Sequence, residues 1–150
     1  MPTMWKRDLA ADRAKLADWL QRRLPAARDL ELSELIEPQY SGFSNETLLC
    51  EASWSEGGRP RRESFVIRVQ PTGFQVFPEY DLELQFRTMS LLAATDIPVP
   101  RVFWLEKEDR ALLGAPFYVM GRIDGRVPPD NPPYHASGWV TEITPAERAA

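Results

Sequence analysis

The chain has 150 residues and a formal net charge of −4, with 43% hydrophobic and 27% charged residues. These proportions predict a folded core and exclude wholesale disorder, and the acidic balance argues against a general nucleic-acid binder. No apolar stretch approaches the roughly 20 residues that a membrane-spanning helix needs, and the N-terminus is too polar for a secretory signal. We therefore expect a cytoplasmic protein with neither nucleic acid nor membrane among its partners.

The single cysteine and the single histidine are both interpreted as structural or surface residues. Cys50 excludes an internal disulfide and a metal site made of cysteines alone. It lies in an apolar run, which indicates a buried strand residue rather than a nucleophile. His135 lies in a proline-rich stretch near the C-terminus, which indicates a surface position.

The first predicted element is a helix from Trp5 to Leu24, because apolar residues recur at near-helical spacing with charges between them. Pro25 ends it. Three strands follow, in the stretches LELSELIEPQY (30–40), NETLLCEASW (45–54) and RESFVIRVQP (62–71). A turn at residues 57–60 joins the last two strands, so we predict an antiparallel meander. The arginines beside this turn are interpreted as a solvated hairpin tip: Arg59, Arg61 and Arg62.

A second helix is predicted from about Pro78 to Ala94, since a proline in the first turn has no N–H that needs a partner. One apolar stripe, widened by three leucines, marks its packing side. The stripe comprises Leu82, Phe86, Met89 and Ala93, and the added leucines are Leu84, Leu91 and Leu92. Pro98 and Pro100 prevent the helix from continuing.

Two more strands are predicted within RVFWLEKEDRALLGAPFYVMGRI (101–123), around a charged turn at residues 107–110. The proline-rich remainder is predicted to be extended, with Thr144 and Pro145 opening a final helix. The fold class is therefore α+β, with an antiparallel sheet of about five strands, one packed helix and an N-terminal helix.

The stretch SGFSNETLL (41–49) raises a functional question, because one glycine lies among serines and an asparagine before the chain turns apolar. A phosphate-binding loop needs backbone N–H groups aimed into a concavity, with little side-chain bulk in the way. SGFSNET between two strands meets that description, but an ordinary polar turn would look the same. These residues alone leave both interpretations open.

Arg68 lies in the stretch FVIRV (65–69), which is otherwise apolar, and it shares a strand face with Val66. A cation in this position lies either at a solvated edge or against an anion. A guanidinium suits phosphate, since it stays charged and can donate two parallel hydrogen bonds. The helix that follows carries Glu83 and Gln85, either of which could hold the cation in place.

In this order, the parts resemble the N-terminal lobe of the aminoglycoside phosphotransferase-like family, which is related to the protein kinases. YSGFSNETLL resembles the nucleotide-binding loop of that family, FVIRV its third strand and YDLELQFRTMSLL the helix that follows. IPVPRVFWLEKED and LGAPFYVMGRIDGRVPPDNPPY resemble its last two strands and the hinge between the lobes. The last stretch is most similar to the branch found fused to, or encoded near, acyl-CoA dehydrogenases. The implied domains are a helical segment (1–29), a kinase-like N-lobe (30–125) and a proline-rich linker (126–150) to an absent C-lobe.

The resemblance implies a role for each residue of an ATP site. Backbone amides of the loop would cover the phosphates, and the Arg68 side chain would contact them. Val66 would pack on the adenine and Met120 would lie behind it. The carbonyl of Gly121 and the N–H of Ile123 would hydrogen-bond the edge of the base. The loop residues are Ser41, Gly42, Phe43, Ser44 and Asn45.

The sequence departs from the family pattern at two positions: the residue that contacts the phosphates, and the helix residue that would pair with it. Arg68 occupies the position of the phosphate-contacting lysine, which keeps the charge but alters reach and geometry. The usual helix glutamate aligns with Gln85, whose neutral amide can accept a hydrogen bond but forms no ion pair. Glu83 lies two positions earlier, about 200° around the helix, and so faces elsewhere. We therefore expect no strong ion pair to organise this lobe.

The groups that carry out phosphoryl transfer in this family are missing from the sequence. They lie in a His-Gly-Asp-like loop and a later metal-binding aspartate, both in the second lobe. Here His135 is followed by Ala136 and Ser137. The resemblance thus implies an ATP-binding lobe of a small-molecule phosphotransferase that is inactive alone. It would supply neither a catalytic residue nor a metal ligand, and Mg²⁺ would bind only once the C-lobe is present.

The sequence leaves open two other interpretations of the chain and the identity of the hydroxyl compound that would accept the phosphate. One alternative is a non-catalytic kinase-like module, and another is an unrelated α+β domain whose SGFSN segment is only a turn. The hydroxyl acceptor could be an aminoglycoside, another sugar, an amino alcohol or a hydroxyacyl-CoA, of which the branch resemblance favours the last. An exposed interlobe face would favour self-association or a separate C-lobe partner.

Overall fold

A computed structural model describes residues 7–38, 46–72, 79–128 and 132–149. It confirms an α+β fold, in which five antiparallel strands form one open sheet in the order β1-β2-β3-β5-β4. The strands are β1 (Arg28–Leu32), β2 (Glu46–Glu56), β3 (Arg59–Val69), β4 (Val102–Glu106) and β5 (Phe117–Gly121). The helices are α1 (Leu9–Arg23), α2 (Leu82–Leu92), α3 (Arg110–Leu113), α4 (Trp139–Glu142) and α5 (Pro145–Ala149). Within this part of the chain, no helix combines the length and the apolarity needed to cross a membrane.

The hydrophobic core lies between α1 and one face of the sheet. Alternate residues of each strand point toward α1, because strand side chains alternate between faces. Trp19 of α1 is buried and packs edge-to-face on Phe117 and Trp104, with ring centroids 5.2 and 5.8 Å apart. Cys50 belongs to this core, and burial raises the pKa of its thiol to about 12, which confirms a buried strand residue. The other large core side chains include Leu16, Leu20, Leu48, Phe65, Ile67, Val69 and Val119.

The β2–β3 hairpin turns at Gly57 and Gly58, whose φ angles of 58° and 74° are those that glycine adopts without strain. The predicted turn was too long, because Arg59 and Pro60 already belong to β3. β5 pairs with β3 only from residue 65 to residue 69, so the first half of β3 has one partner strand. A proline without an N–H is tolerated there. The arginines of this hairpin are exposed, as expected for a solvated tip.

Both long helices begin later than predicted, because an aspartate caps each of them. Asp8 accepts a hydrogen bond of 3.0 Å from the N–H of Ala11, and α1 begins at Leu9 rather than Trp5. Asp81 accepts one of 2.8 Å from the N–H of Leu84, and α2 begins one residue after this cap. Trp5 and Pro78, the predicted starts, lie outside the described residues.

Only one side of α2 packs on the sheet, so the predicted stripe was too wide. Leu82 is buried, and Phe86, Met89 and Leu92 are half-buried. Leu84 and Leu91 are 61% and 72% exposed, because residues seven apart share one side of a helix, here the solvent side. Ala93 is exposed as well.

Three connecting segments also differ from the predictions. The first strand is shorter than 30–40, ends at Leu32, and is followed by a separate bridge between Ile36 and Leu49. The β4–β5 connection contains α3, whose Leu112 and Leu113 are buried beneath α1. The described part of the linker is not simply extended, since it contains turns and α4.

The final helix opens where the sequence predicted. The N–H of Thr144 donates to the Glu147 carboxylate at 2.7 Å, and the N–H of Glu147 donates back to Thr144 Oγ1 at 3.3 Å. This reciprocal pair is a capping box, which satisfies two N–H groups at the helix start. His135, in the turn before α4, is exposed, as predicted.

Candidate functional site

An apolar row crosses the sheet on the face opposite α1. Consecutive members lie directly opposite one another in the register, so their side chains share one face. Four members are half-buried and the fifth is 57% exposed, so the row is open to solvent. From one edge of the sheet to the other, the row comprises Ile36, Leu49, Val66, Met120 and Val102.

A polar row lies beside it on the same face, two residues further along β3. Arg68 is flanked by Thr47 on β2 and by Tyr118 on β5. One guanidinium nitrogen, Nη1, donates a hydrogen bond of 3.2 Å to Thr47 Oγ1. Burial raises the pKa of the Tyr118 hydroxyl, while the charge of Arg68 and its hydrogen bond to that hydroxyl oppose the rise. The cation thus lies beside the apolar row, held by hydroxyl groups on both neighbouring strands.

α2 covers one end of the polar row. The Tyr118 hydroxyl donates to Gln85 Oε1 at 3.4 Å, and the rings of Phe86 and Tyr118 lie 6.2 Å apart. Glu83 instead pairs with Lys107 at 2.9 Å on the surface, which raises the pKa of that lysine. Gln85 therefore faces the sheet and Glu83 faces away from it, as the helical spacing predicted. Tyr118 lies between Gln85 and Arg68, and the sequence reasoning did not select it.

The C-terminal end of β5 leads away from the apolar row into the predicted hinge. The N–H of Gly121 donates to the Arg101 carbonyl at 2.7 Å, and the N–H of Arg122 donates to the Ser64 carbonyl at 2.8 Å. Ile123 is 68% exposed. Residues within the described part of the chain supply no hydrogen-bond acceptor for its N–H.

The structure brings together some of the predicted site residues. Val66 and Met120 are cross-strand neighbours, and Arg68 and Gln85 both contact Tyr118. The predicted phosphate loop, Ser41 to Asn45, lies outside the described residues, and β2 begins at the next residue in the sequence.

The sequence reasoning did not select several residues of this face: Ile36, Thr47, Leu49, Val102 and Tyr118. Tyr118 could have been found by period-two alternation, since it lies two residues before Met120 in the same strand. Ile36 lies just outside β1, where alternation no longer applies, and only the bridge to Leu49 places it in the apolar row.

Two concavities among the described residues lie elsewhere. A groove of about 660 Å³ runs between α1 and the edge formed by β1 and β2, on the opposite face of the sheet. Another, of about 600 Å³, lies where α2 ends and the chain approaches β4, and of the apolar row it includes Val102.

Comparison with known proteins identifies the family of proteins to which the chain belongs. Residues 35–142 match the sequence model of the phosphotransferase enzyme family. This match covers more than half of the chain and spans both rows. The chain therefore belongs to the phosphotransferase enzyme family, as its resemblance to the aminoglycoside phosphotransferases predicted.

The matching relatives include acyl-CoA dehydrogenase proteins, in line with the predicted branch. The chain is 30% identical to acyl-CoA dehydrogenase family member 11 of Gallus gallus and 26% identical to that of Rattus norvegicus, over 93% of the chain in each case. It is 32% identical over 57% of its length to a probable acyl-CoA dehydrogenase, IBR3, of Arabidopsis thaliana. The chain spans 16% of the length of the first two relatives and 10% of the third.

Proposed function

We propose that this chain is the ATP-binding N-terminal lobe of a small-molecule phosphotransferase, which moves the γ-phosphate of ATP to a hydroxyl group. The observation that carries the proposal is the pairing of the two rows on one face. An apolar row suits a flat base, and an arginine in the adjacent row suits phosphates. Same-face residues on one strand are roughly 7 Å apart, so Val66 and Arg68 can contact different parts of one nucleotide.

The roles in this site follow from the chemistry of each group. Val66 and Met120 pack on the adenine, and Ile36 extends that apolar surface at the sheet edge. Arg68 binds phosphate oxygens with charge-assisted hydrogen bonds. The N–H of Ile123 and the carbonyl of Gly121 are the groups that would pair with the edge of the base. Ser41 to Asn45 would supply backbone N–H groups to the phosphates.

Phosphate transfer requires groups that this sequence does not contain. An aspartate must orient the acceptor hydroxyl and oxygen ligands must hold Mg²⁺, and no His-Gly-Asp loop occurs in these 150 residues. We therefore expect this chain to bind ATP but not to transfer its phosphate. We propose a hydroxyacyl-CoA as the acceptor of the complete enzyme, because the similar proteins carry the name acyl-CoA dehydrogenase.

The test is a titration of the 150-residue chain with a non-hydrolysable ATP analogue and, separately, with adenosine. Arg68→Ala should weaken binding of the analogue about tenfold, the cost of losing one charge-assisted hydrogen bond, and should leave adenosine unchanged. Arg87→Ala, on the exposed side of α2, is the matched control and should change neither.

Three results would each contradict a part of the proposal. If Arg68→Ala weakens the binding of the ATP analogue and of adenosine equally, Arg68 does not contact the phosphates. Absence of saturable binding of the analogue, in a chain whose fold is verified, would instead favour a non-catalytic interaction module. Turnover of ATP by the isolated chain would contradict the expectation that it is inactive alone.

A further inference from the structure

Three secondary-structure elements meet at the side chain of Tyr118. The residue lies in β5, between β3 and β4, and is only 3% exposed. A buried tyrosine hydroxyl needs hydrogen-bond partners, because leaving it unpaired costs free energy. Two polar side chains from different elements adjoin it: Arg68 lies directly opposite Tyr118 on β3, and Gln85 of α2 accepts a hydrogen bond from the hydroxyl.

The chemistry of these groups orients the contacts. A phenol has one O–H to donate and lone pairs to accept, a guanidinium only donates, and an amide oxygen only accepts. The hydroxyl therefore donates to Gln85 Oε1 at 3.4 Å, which leaves its lone pairs to accept from the Arg68 guanidinium on the facing strand. Burial keeps the pKa of the phenol above its ordinary value, so the hydroxyl stays protonated at neutral pH and can donate.

Tyr118 is the rigid member of this set. Its ring has two rotatable bonds, is held in a strand with neighbours on both sides, and contacts the Phe86 ring of α2 at 6.2 Å. Arginine and glutamine side chains have more rotatable bonds and lose more entropy when they are fixed. A fixed hydroxyl between them restricts both side chains.

We propose that Tyr118 is a positioning residue, whose hydroxyl holds the Arg68 guanidinium in a phosphate-binding orientation and connects it to Gln85 on α2. The value of this positioning for phosphate rests on the proposed function. Arg68 and α2 are linked here through a neutral hydroxyl and a neutral amide. The link is therefore weakened less by salt than an ion pair between exposed charges.

The first experiment does not depend on nucleotide. Tyr118→Phe removes the hydroxyl and keeps the ring, and Tyr134→Phe, at a half-exposed tyrosine, is the matched control. Hydrogen exchange of the Arg68 side-chain N–H groups is measured by NMR, with signals assigned by comparison with Arg68→Lys. Exchange should accelerate severalfold in Tyr118→Phe and remain unchanged in Tyr134→Phe. Unchanged exchange in Tyr118→Phe would overturn the proposal.

The second experiment asks whether the positioning serves phosphate. Tyr118→Phe should weaken the ATP analogue about threefold to tenfold, a loss typical of one hydrogen bond, while adenosine affinity stays the same. A structural defect would weaken both ligands alike, and that result would overturn the proposal. Gln85→Met, which keeps the length of the side chain and removes the acceptor, should act in the same direction and provides a second variant.

The experiments distinguish a failure of the proposed function from a failure of the proposed role of Tyr118. If the unsubstituted chain fails to bind the ATP analogue, the proposed function falls, and the exchange measurement still decides whether Tyr118 holds Arg68. If the chain binds the analogue through Arg68 but Tyr118→Phe alters neither exchange nor affinity, only the positioning proposal falls.

Discussion

The indole N–H of Trp19 donates a hydrogen bond of 3.0 Å to the carboxylate of Glu106, across 87 positions in the sequence. The same oxygen accepts from Arg23 at 2.9 Å. The other carboxylate oxygen accepts from the backbone N–H groups of Glu108 and Asp109, each at 3.1 Å. Glu106 is only 8% exposed. The two hydrogen bonds from Trp19 and Arg23 attach α1 to the end of β4, and the two backbone hydrogen bonds hold the turn that follows β4.

Replacing this carboxylate by an amide should destabilise the fold. In the wild type, both carboxylate oxygens accept hydrogen bonds from N–H donors. In Glu106→Gln, an NH₂ group replaces one of these oxygens, so it faces N–H groups that it cannot accept from. We expect the free energy of unfolding to fall by about 2 kcal/mol, the typical cost of leaving buried polar groups unpaired. Urea denaturation measures the loss, with the exposed Glu108→Gln as control. Equal stability of the two variants would contradict this role of Glu106.

The stability contributed by Glu106 should depend on pH in one direction. Burial opposes its ionisation, but hydrogen bonds from Trp19, the two backbone N–H groups and Arg23 outweigh burial and lower the carboxyl pKa below its ordinary 4.5. For a lowered pKa, the contribution is full above about pH 4.5 and is lost as pH falls through the folded-state value. The difference between wild type and Glu106→Gln should therefore shrink below pH 4.5. A difference that stays constant from pH 7 to pH 3 would refute it.

Arg7 should contribute strongly to stability, because its side chain is 7% exposed and has three partners. It donates to Asp12 and to the Leu113 carbonyl, each at 2.8 Å, and it pairs with Glu46 at the start of β2. Arg7→Met leaves the buried Asp12 carboxylate without this cation, so we expect a loss of about 3 kcal/mol.

Arg62→Met is the matched control for Arg7→Met. Arg62 pairs with Glu51 at 2.9 Å, but its side chain is 75% exposed, so the expected loss is below about 1 kcal/mol. Chemical denaturation of the two variants under the same conditions compares them directly. If the two variants lose similar free energies of unfolding, the burial of Arg7 does not strengthen the contribution of its ion pairs to stability.

The two sides of α2 should respond differently to the same substitution. Leu82→Ala removes a side chain that is 3% exposed, and we expect a loss of about 2 to 3 kcal/mol. Leu91→Ala changes a side chain that is 72% exposed, and we expect a change below about 0.5 kcal/mol. Thermal and urea denaturation measure both variants. A large loss for Leu91→Ala would show that this side of the helix packs on something in solution.

Much of the fold could be predicted from local patterns in the sequence. The number of strands, their order along the chain, the Gly57-Gly58 turn and the burial of Cys50 follow from period-two alternation and turn chemistry, which act over a few residues. The same alternation placed Val66 and Arg68 on one face, and helical geometry turned Gln85 and Glu83 to different sides. The helix starts were misplaced because the capping aspartates, Asp8 and Asp81, were not recognised as caps.

The sequence by itself determined the five strands, the two long helices, their order along the chain and the composition of each strand face. Only the tertiary structure decided that Tyr118 connects Arg68 to Gln85, that Glu106 receives Trp19, and that Leu84 and Leu91 remain in solvent. These outcomes depend on which elements meet. The partners lie 33 and 87 positions apart for the Tyr118–Gln85 and Trp19–Glu106 hydrogen bonds. Local periodicity specifies the side of an element that is apolar, but the packing of the whole chain selects the side that is covered.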